Sequence, residues 1–352
     1  MSSFSHLKSI NSSLSYLGGR FSLAETEEKS FLGLTSLEYP REDHLIFVKD
    51  KKTFEKKYQR YEKNVPDEKV SLIVAESFWQ KLNEEEKKKS FLERFAIIFS
   101  SADIDESMVL LSSHFYHLFY DSLNMEVDGR QMGTCEIHPS ARIAQHVFIG
   151  EHVNIEKNVI IMSGAVILPH VTIKEGSVVF PQVTIYPKVV VGKNCRLQAQ
   201  STIGSDGHGF HFMKGEHCRL WHLGGVVMGD NVEVGTSSVI DGGTFAPTFI
   251  GSGCKLDNHV QIAHNCHLGN HVMLCGQVGI SGSVEIGDYS VFGGKAGVGP
   301  GVTLGKRIQA AGGALINCDW PDDSVLGGHP ARPLKEWLRT VAHTRKLSLD
   351  KR

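Results

Sequence analysis

This sequence has no run of 18 consecutive apolar residues, and residues 1–30 hold no unbroken apolar stretch of signal-peptide type. Both absences argue against stable membrane insertion and lead us to expect a cytoplasmic protein. Excess charge of either sign is also missing. With 37 basic against 39 acidic residues, the formal net charge of −2 gives no reason to expect nucleic acid as a bulk partner. The seven cysteines form an odd set without a CxxC pair, which argues against a disulfide framework and for a reducing compartment. Histidine is plentiful at 18 residues. Yet no HxxxH falls on a predicted helix and no Cys/His spacing is of zinc-finger type, so neither a metal site nor a bound cofactor is expected.

What is present is an aliphatic residue at every sixth position. From Ile137 the count passes through Ile143, Ile149, Ile155, Ile161, Ile167, Ile173, Val179, Ile185, Val191 and Leu197 to Ile203 without a miss. It resumes at Met228, Val234 and Ile240, and again from Ile250 through Ile262, Leu274 and Phe292 to Leu304. Neither a helix nor a plain strand has a period of six; a hexapeptide-repeat parallel β-helix does. Four residues after each aliphatic position stands a small or β-branched one, such as Val147, Ala165 or Cys195. The pair points inward from one flat side of a coil, and three hexads, roughly 18 residues, close one coil of a triangular prism. Cys195, Cys254 and Cys266 occupy the small inward position and read as buried free thiols. Gly150, Gly192, Asn194, Gly229, Asn231, Gly251, Gly269, Asn270 and Gly287 lie between the aliphatic positions, where corners are expected to need φ > 0.

The fold class is thus mainly β. Residues 1–120 carry no hexads and read as a small α/β domain, with helices over 5–17, 84–98 and 103–117 and strands over 44–48 and 70–74. Residues 121–135 are a linker, 136–318 the prism and 319–352 a C-terminal extension. In that extension Leu334, Trp337, Leu338 and Val341 form the apolar face of a helix. It either caps the open prism or presents basic residues to an acidic partner. The repeat breaks at 204–227 and at 241–249, and long loops of this kind are where function is sought.

Histidines crowd the breaks, and His264 stands out. It follows the inward Ile262 by two residues, where the coil turns its corner, so a rigid edge presents the ring as a general base. Asp257, Asn258, Gln261 and Asn265 are candidates for orienting it and binding polar substrate groups.

These residues carry a resemblance. IGSDGHGF (203–210), LGGVVMGDNVEVG (223–235), LDNHVQIAHN (256–265), CGQVGISGSVEIGD (275–288), GHPARPLKEWLR (328–339) and HPSARI (138–143) resemble the UDP-3-O-(3-hydroxyacyl)glucosamine N-acyltransferases of lipid A biosynthesis, over about residues 135–340. The resemblance implies a left-handed β-helix, a homotrimer with active sites between subunits and an N-terminal uridine-binding domain. The implied reaction moves a 3-hydroxyacyl chain from acyl carrier protein, whose phosphopantetheine arrives with the donor, to the 2-amine of the UDP-sugar lipid. His264 matches the histidine of the QIAHN motif, the family's general base. A protonated amine must lose a proton before attacking a thioester, and imidazole titrates in the right range. Gly276 and Gly282 become candidates for the oxyanion or pantetheine site. His208, Phe210 and Asp241 become substrate-binding candidates, as do Phe47 and Asp50 in the uridine domain. Arg332, Lys335 and Arg339 are candidates for docking the acidic carrier.

The sequence departs from the family at several points. Gly301 stands where many members carry a second histidine, the DRG triplet reads Asp241-Gly242-Gly243, and Trp221-His222 replaces Pro-Gln. Asp50 and Thr53 replace the asparagine and tyrosine of the uridine site. These changes motivate two alternatives. One is transfer to a different nucleotide sugar or from acyl-CoA; the other is a silent trimeric paralogue that acts as a binding module.

Overall fold

The computed structural model describes residues 21–23, 33–58, 70–87, 95, 97–328 and 334–349; the helix expected over 5–17 lies outside them. Its main body is the parallel β-helix that the hexads predict, left-handed as the resemblance implies. Three parallel sheets of ten, nine and nine short strands stack along the prism. Val178 pairs with Ile160 below and Arg196 above, a step of 18 residues and therefore one coil. Across the first insertion Ile203 pairs with Ile240, and across the second Ile240 pairs with Ile262. The register steps there are 37 and 22 instead of 18, so the breaks add 19 and 4 residues without disturbing the stack.

Every aliphatic position from Ile149 to Leu304 is at most 3% exposed, and the small inward series from Val153 to Val284 is sealed beside it. Cys195, Cys254 and Cys266 are free and buried. Each fully buried Ile or Leu contributes on the order of 2 kcal/mol of transfer free energy, and one column repeats that gain coil after coil.

The corners correct the reading of the glycines. Left-handed φ recurs three residues after the aliphatic position, on His152 (54°), Asn194 (53°), Asn231 (58°), His259 (57°) and Asn265 (60°). Gly150, Gly192, Gly229, Gly251, Gly269 and Gly287 follow the aliphatic residue directly and have no such φ. They are glycines because adjacent coils touch there. A Cβ on Gly192 would stand 2.2 Å from the Gly229 carbonyl oxygen, and one on Gly251 would stand 2.3 Å from that of Gly269.

The N-terminal sheet has the order β1 (Phe21–Leu23), β5 (Ile97–Ser101), β4 (Ser71–Ala75), β3 (His44–Val48), β2 (Gly33–Thr35), parallel except for β1. Of the helix expected over 84–98, Glu84–Lys87 is helical, residues 88–94 and 96 lie outside the described residues, and Ile97–Ser101 is strand β5 instead. Three consecutive apolar residues, Ile97, Ile98 and Phe99, suit a strand buried on both faces as well as a helix. Helix Ile104–Tyr120 is capped by Asp103, which accepts from the Glu106 N–H at 2.9 Å. Leu111 and Phe115 of this helix form one cluster with Leu34, Leu45, Ile73, Phe99 and the prism residues Leu223 and Phe245. Tyr39 stacks on Phe249 with ring centroids 4.3 Å apart. The two insertions are thus the seat on which the N-terminal domain rests.

The first insertion has structure of its own, contrary to expectation. It is a hairpin of Phe210–Met213 and Glu216–Arg219, turned by Lys214 and Gly215, both at positive φ, as a type I′ turn requires. An ion pair of 2.8 Å from Lys214 to Glu106 ties it to the helix. At the other end the prism runs on past residue 318, because Val325–Leu326 pairs in parallel with Gln309–Ala310. Helix Leu334–Leu349 leaves Leu338 and Val341 of its expected apolar face 51% and 44% exposed. No helix among the described residues is long and apolar enough to cross a membrane.

Candidate active site

Strand Gln261–Ile262 delivers His264 to a coil corner, and Asn265 turns the chain away at φ 60°. The ring sits on an outer edge yet is half-buried, because two glycines admit it. A Cβ on Gly282, one coil further on, would stand 2.8 Å from Cε1 and 2.9 Å from Nε2; one on Gly207 would stand 2.8 Å from Cδ2. The imidazole is thus held between the next coil and the first insertion. Burial lowers its pKa below the ordinary 6.5, the His208 carbonyl opposes that shift, and the charge of His208 adds to it. A neutral imidazole in a partly dry corner can take up a proton from a substrate.

Asn265 is the one expected neighbour that reaches the ring, its Nδ2 lying 3.0 Å from His264 Nδ1. Thr244, from the second insertion, donates its N–H to Asn265 Oδ1 at 2.7 Å and accepts from Nδ2 on its hydroxyl at 2.9 Å. Gln261 turns instead to Asp241, donating to its Oδ2 at 3.0 Å, while Ser205 donates to Oδ1 at 3.3 Å. Burial pushes the Asp241 carboxyl up to about 6, against those two hydrogen bonds.

Asp257 and Asn258, expected to orient the ring, do not. They occupy the preceding corner, where Asn258 accepts the Thr236 N–H at 2.7 Å and Asp257 accepts the Asn258 N–H at 2.8 Å. Gly276 lies above them, its missing Cβ 3.3 Å from Asp257 Oδ2. Six residues of sequence are one side of the triangle, so within this chain these three stand a prism edge away from His264. His208 is exposed, with its ring edge-on to Phe210 at 5.1 Å; both its main-chain carbonyl and its side chain act on His264.

In the N-terminal domain Phe47 is half-buried against Phe245, with ring centroids 5.5 Å apart. Asp50 caps helix Lys51–Tyr58, accepting from the N–H and the hydroxyl of Thr53 at 2.8 Å each. Slight burial would raise its pKa, but these bonds outweigh it and hold the carboxyl below the ordinary carboxylate value. Lys335 and Arg339 are exposed on the C-terminal helix, and Arg332 lies outside the described residues.

Sequence reasoning gave no site role to three residues. His222 is 4% exposed, its ring 5.1 Å from that of His264 and roughly perpendicular to it. Neither of its nitrogens has a partner of hydrogen-bonding geometry, although the Leu220 carbonyl lies close enough to favour the charged ring. Lys188 is half-buried, with its Nζ 3.6 Å from the Phe119 ring centroid and 3.4 Å from the Leu223 carbonyl oxygen. Burial first, then Arg41, brings its pKa down to about 8. Both line a small cavity with Tyr120, Gly204 and Gly242. Thr244 is the third. Each owes its place to an insertion or to domain docking, which no periodicity marks. Among the described residues no three His, Cys, Asp or Glu side chains converge to hold a metal ion.

Residues 170–205 match the family model of the bacterial transferase hexapeptide (six repeats). A UDP-3-O-acylglucosamine N-acyltransferase of Methylobacterium sp. (strain 4-46) is 40% identical over 163 residues, 46% of this chain and 46% of the relative. One of the same name from Helicobacter hepaticus is 41% identical over 207 residues, 58% of this chain and 64% of the relative. The chain thus spans about half the length of the former and less than two thirds of the latter. Among solved structures, the UDP-N-acetylglucosamine acyltransferase of Francisella novicida is 29% identical over 59% of this chain and 71% of its own, with a TM-score of 0.38.

Proposed function

We propose that this hexapeptide-repeat protein, a relative of the UDP-3-O-acylglucosamine N-acyltransferases, is itself an N-acyltransferase of lipid A biosynthesis working in the cytoplasm. Its donor is a 3-hydroxyacyl chain on acyl carrier protein, and its acceptor is the 2-amine of UDP-3-O-(3-hydroxyacyl)glucosamine. The observation that carries this reading is His264, a neutral, half-buried imidazole on a rigid corner between Gly207 and Gly282.

His264 takes a proton from the sugar amine as its nitrogen attacks the thioester carbonyl. The tetrahedral intermediate puts negative charge on the carbonyl oxygen. The Gly282 N–H, which has no acceptor among the described residues, would stabilise it. The intermediate collapses with cleavage of the C–S bond, His264 returns its proton to the thiolate of phosphopantetheine, and the amide remains. The carrier's acidic surface would meet the exposed Lys335 and Arg339. A homotrimer would set a neighbouring subunit opposite His264. In support, three outward positions of one sheet near the C-terminal end are apolar and open, Met273 45%, Val291 39% and Val325 76% exposed, with the polar Gln309 between the last two.

The Asp50–Thr53 cap favours a second reading, the same transfer to a different nucleotide sugar, because Asp50 is committed to a helix end. A mass-spectrometric transfer assay decides. With UDP-3-O-(3-hydroxyacyl)glucosamine and a ladder of 3-hydroxyacyl carrier proteins, a diacylated product is expected that falls about 100- to 10,000-fold in His264→Ala. Product formed equally by the mutant would remove His264 as the base. Failure with every carrier-protein donor, but turnover of another UDP-sugar or of acyl-CoA, would select the second reading.

A further inference from the structure

Which nitrogen of His264 carries the proton follows from its neighbours. The Thr244 backbone N–H donates to Asn265 at 2.7 Å. A backbone amide can only donate, so the atom it meets is the carboxamide oxygen. The amide nitrogen is then fixed on the other side. One of its hydrogens goes to the Thr244 hydroxyl at 2.9 Å and the other points at His264 Nδ1, 3.0 Å away. A nitrogen that faces an N–H must offer a lone pair.

We infer that Asn265, oriented by Thr244, is a positioning residue that fixes the ring tautomer of His264, with the proton on Nε2 over Gly282 and Nδ1 as the acceptor. The inference rests on His264 as the base of the proposed transfer and refines it. In the resting protein Nε2 is a hydrogen-bond donor and has no lone pair to offer an amine. It becomes the accepting nitrogen only after the carboxamide leaves Nδ1 and the ring proton passes, by exchange with water, from Nε2 to Nδ1. Protonating Nδ1 with Asn265 in place sets N–H against N–H, which adds to the effect of burial in keeping the ring neutral. The other titratable groups facing the ring are His208 and His222, both on the first insertion. Asp241 is turned to Gln261 and Ser205.

Replacing Asn265 by aspartate tests this. A carboxylate keeps an oxygen for the Thr244 N–H and offers a second oxygen to Nδ1, so the proton should move to Nδ1 and leave Nε2 free. The experiment is 15N NMR of histidine-labelled full-length protein, with His264 assigned by its loss in His264→Gln. In the wild type at pH 8, an unprotonated Nδ1 and a protonated Nε2 are expected. Asn265→Asp should reverse the two and raise the ring pKa by about one unit or more. Asn265→Gly, which keeps the φ of 60° accessible, should raise it less and serves if the aspartate variant does not fold. A wild-type ring protonated on Nδ1, an aspartate variant still protonated on Nε2, or a glycine variant titrating with the wild type would each overturn the inference. The readout needs no substrate. Absent turnover with the expected spectra would therefore reject the acyl-transfer reading and leave the tautomer assignment standing.

Discussion

Two buried titratable side chains around His264 have pKa values displaced in opposite directions, and stability should record both. Burial raises the Asp241 pKa from 3.8 to about 6, so the folded protein keeps a proton that the unfolded chain releases. Its contribution is full below about pH 4 and is lost as pH rises through about 6. His222 is the reverse case. Burial, reinforced by the charges of His264 and Arg219, lowers its pKa from 6.5 to about 3, so its contribution is present above pH 6.5 and is lost as pH falls towards 3. Asp241→Asn should therefore remove a decline on the order of 2 kcal/mol between pH 4 and 6, read by denaturant unfolding across a pH series. His222→Gln should lessen acid destabilisation below pH 6.5 in the same experiment. A pH profile unchanged by either substitution would mean that the group is not buried as described.

At the scale of the coil, the corner glycines divide into those that make room for a ring and those that do not. A Cβ on Gly282 would meet the His264 ring, whereas one on Gly301, one residue further along the corner of the next coil and at φ 70°, meets nothing within 4 Å. Gly282→Ala is expected to cut turnover at least tenfold with the fold intact, and Gly301→Ala to leave turnover within about twofold; equal effects would contradict the packing of His264 on Gly282. The hexad count made these positions legible. Each aliphatic residue it marked from Ile149 to Leu304 is in the core, because the fixed inward positions of each coil side leave no other choice. The same count separates Asp257 and Asn258 from His264 by a corner, a consequence of the six-residue step that adjacency in sequence obscures. Where periodicity stops, legibility stops with it. The Phe210–Arg219 hairpin, the seat of His222 and the Thr244 hydrogen bonds arise from insertions that pack against the N-terminal domain. Strand β5 hid in a short apolar run that suits either helix or strand.

For the whole molecule, the insertions unite two bodies, since Leu223 and Phe245 share a cluster with Leu111 and Phe115. In the proposed trimer a neighbouring subunit would face His264. The exposed Met273 and Val291 lie side by side on neighbouring strands of one sheet, and a three-fold assembly would bury them. Sedimentation at micromolar concentration should give a trimer, and Met273→Glu with Val291→Glu should dissociate it; a monomeric wild type would count against an inter-subunit site. The most direct test of the central claim is the pH dependence of kcat/KM for acyl transfer in wild type and His264→Ala. The wild type should lose activity on the acid side with a midpoint below 6.5, as the lowered pKa of His264 requires. The residual activity of the mutant should lack that limb. The same limb in both proteins would contradict His264 as the base.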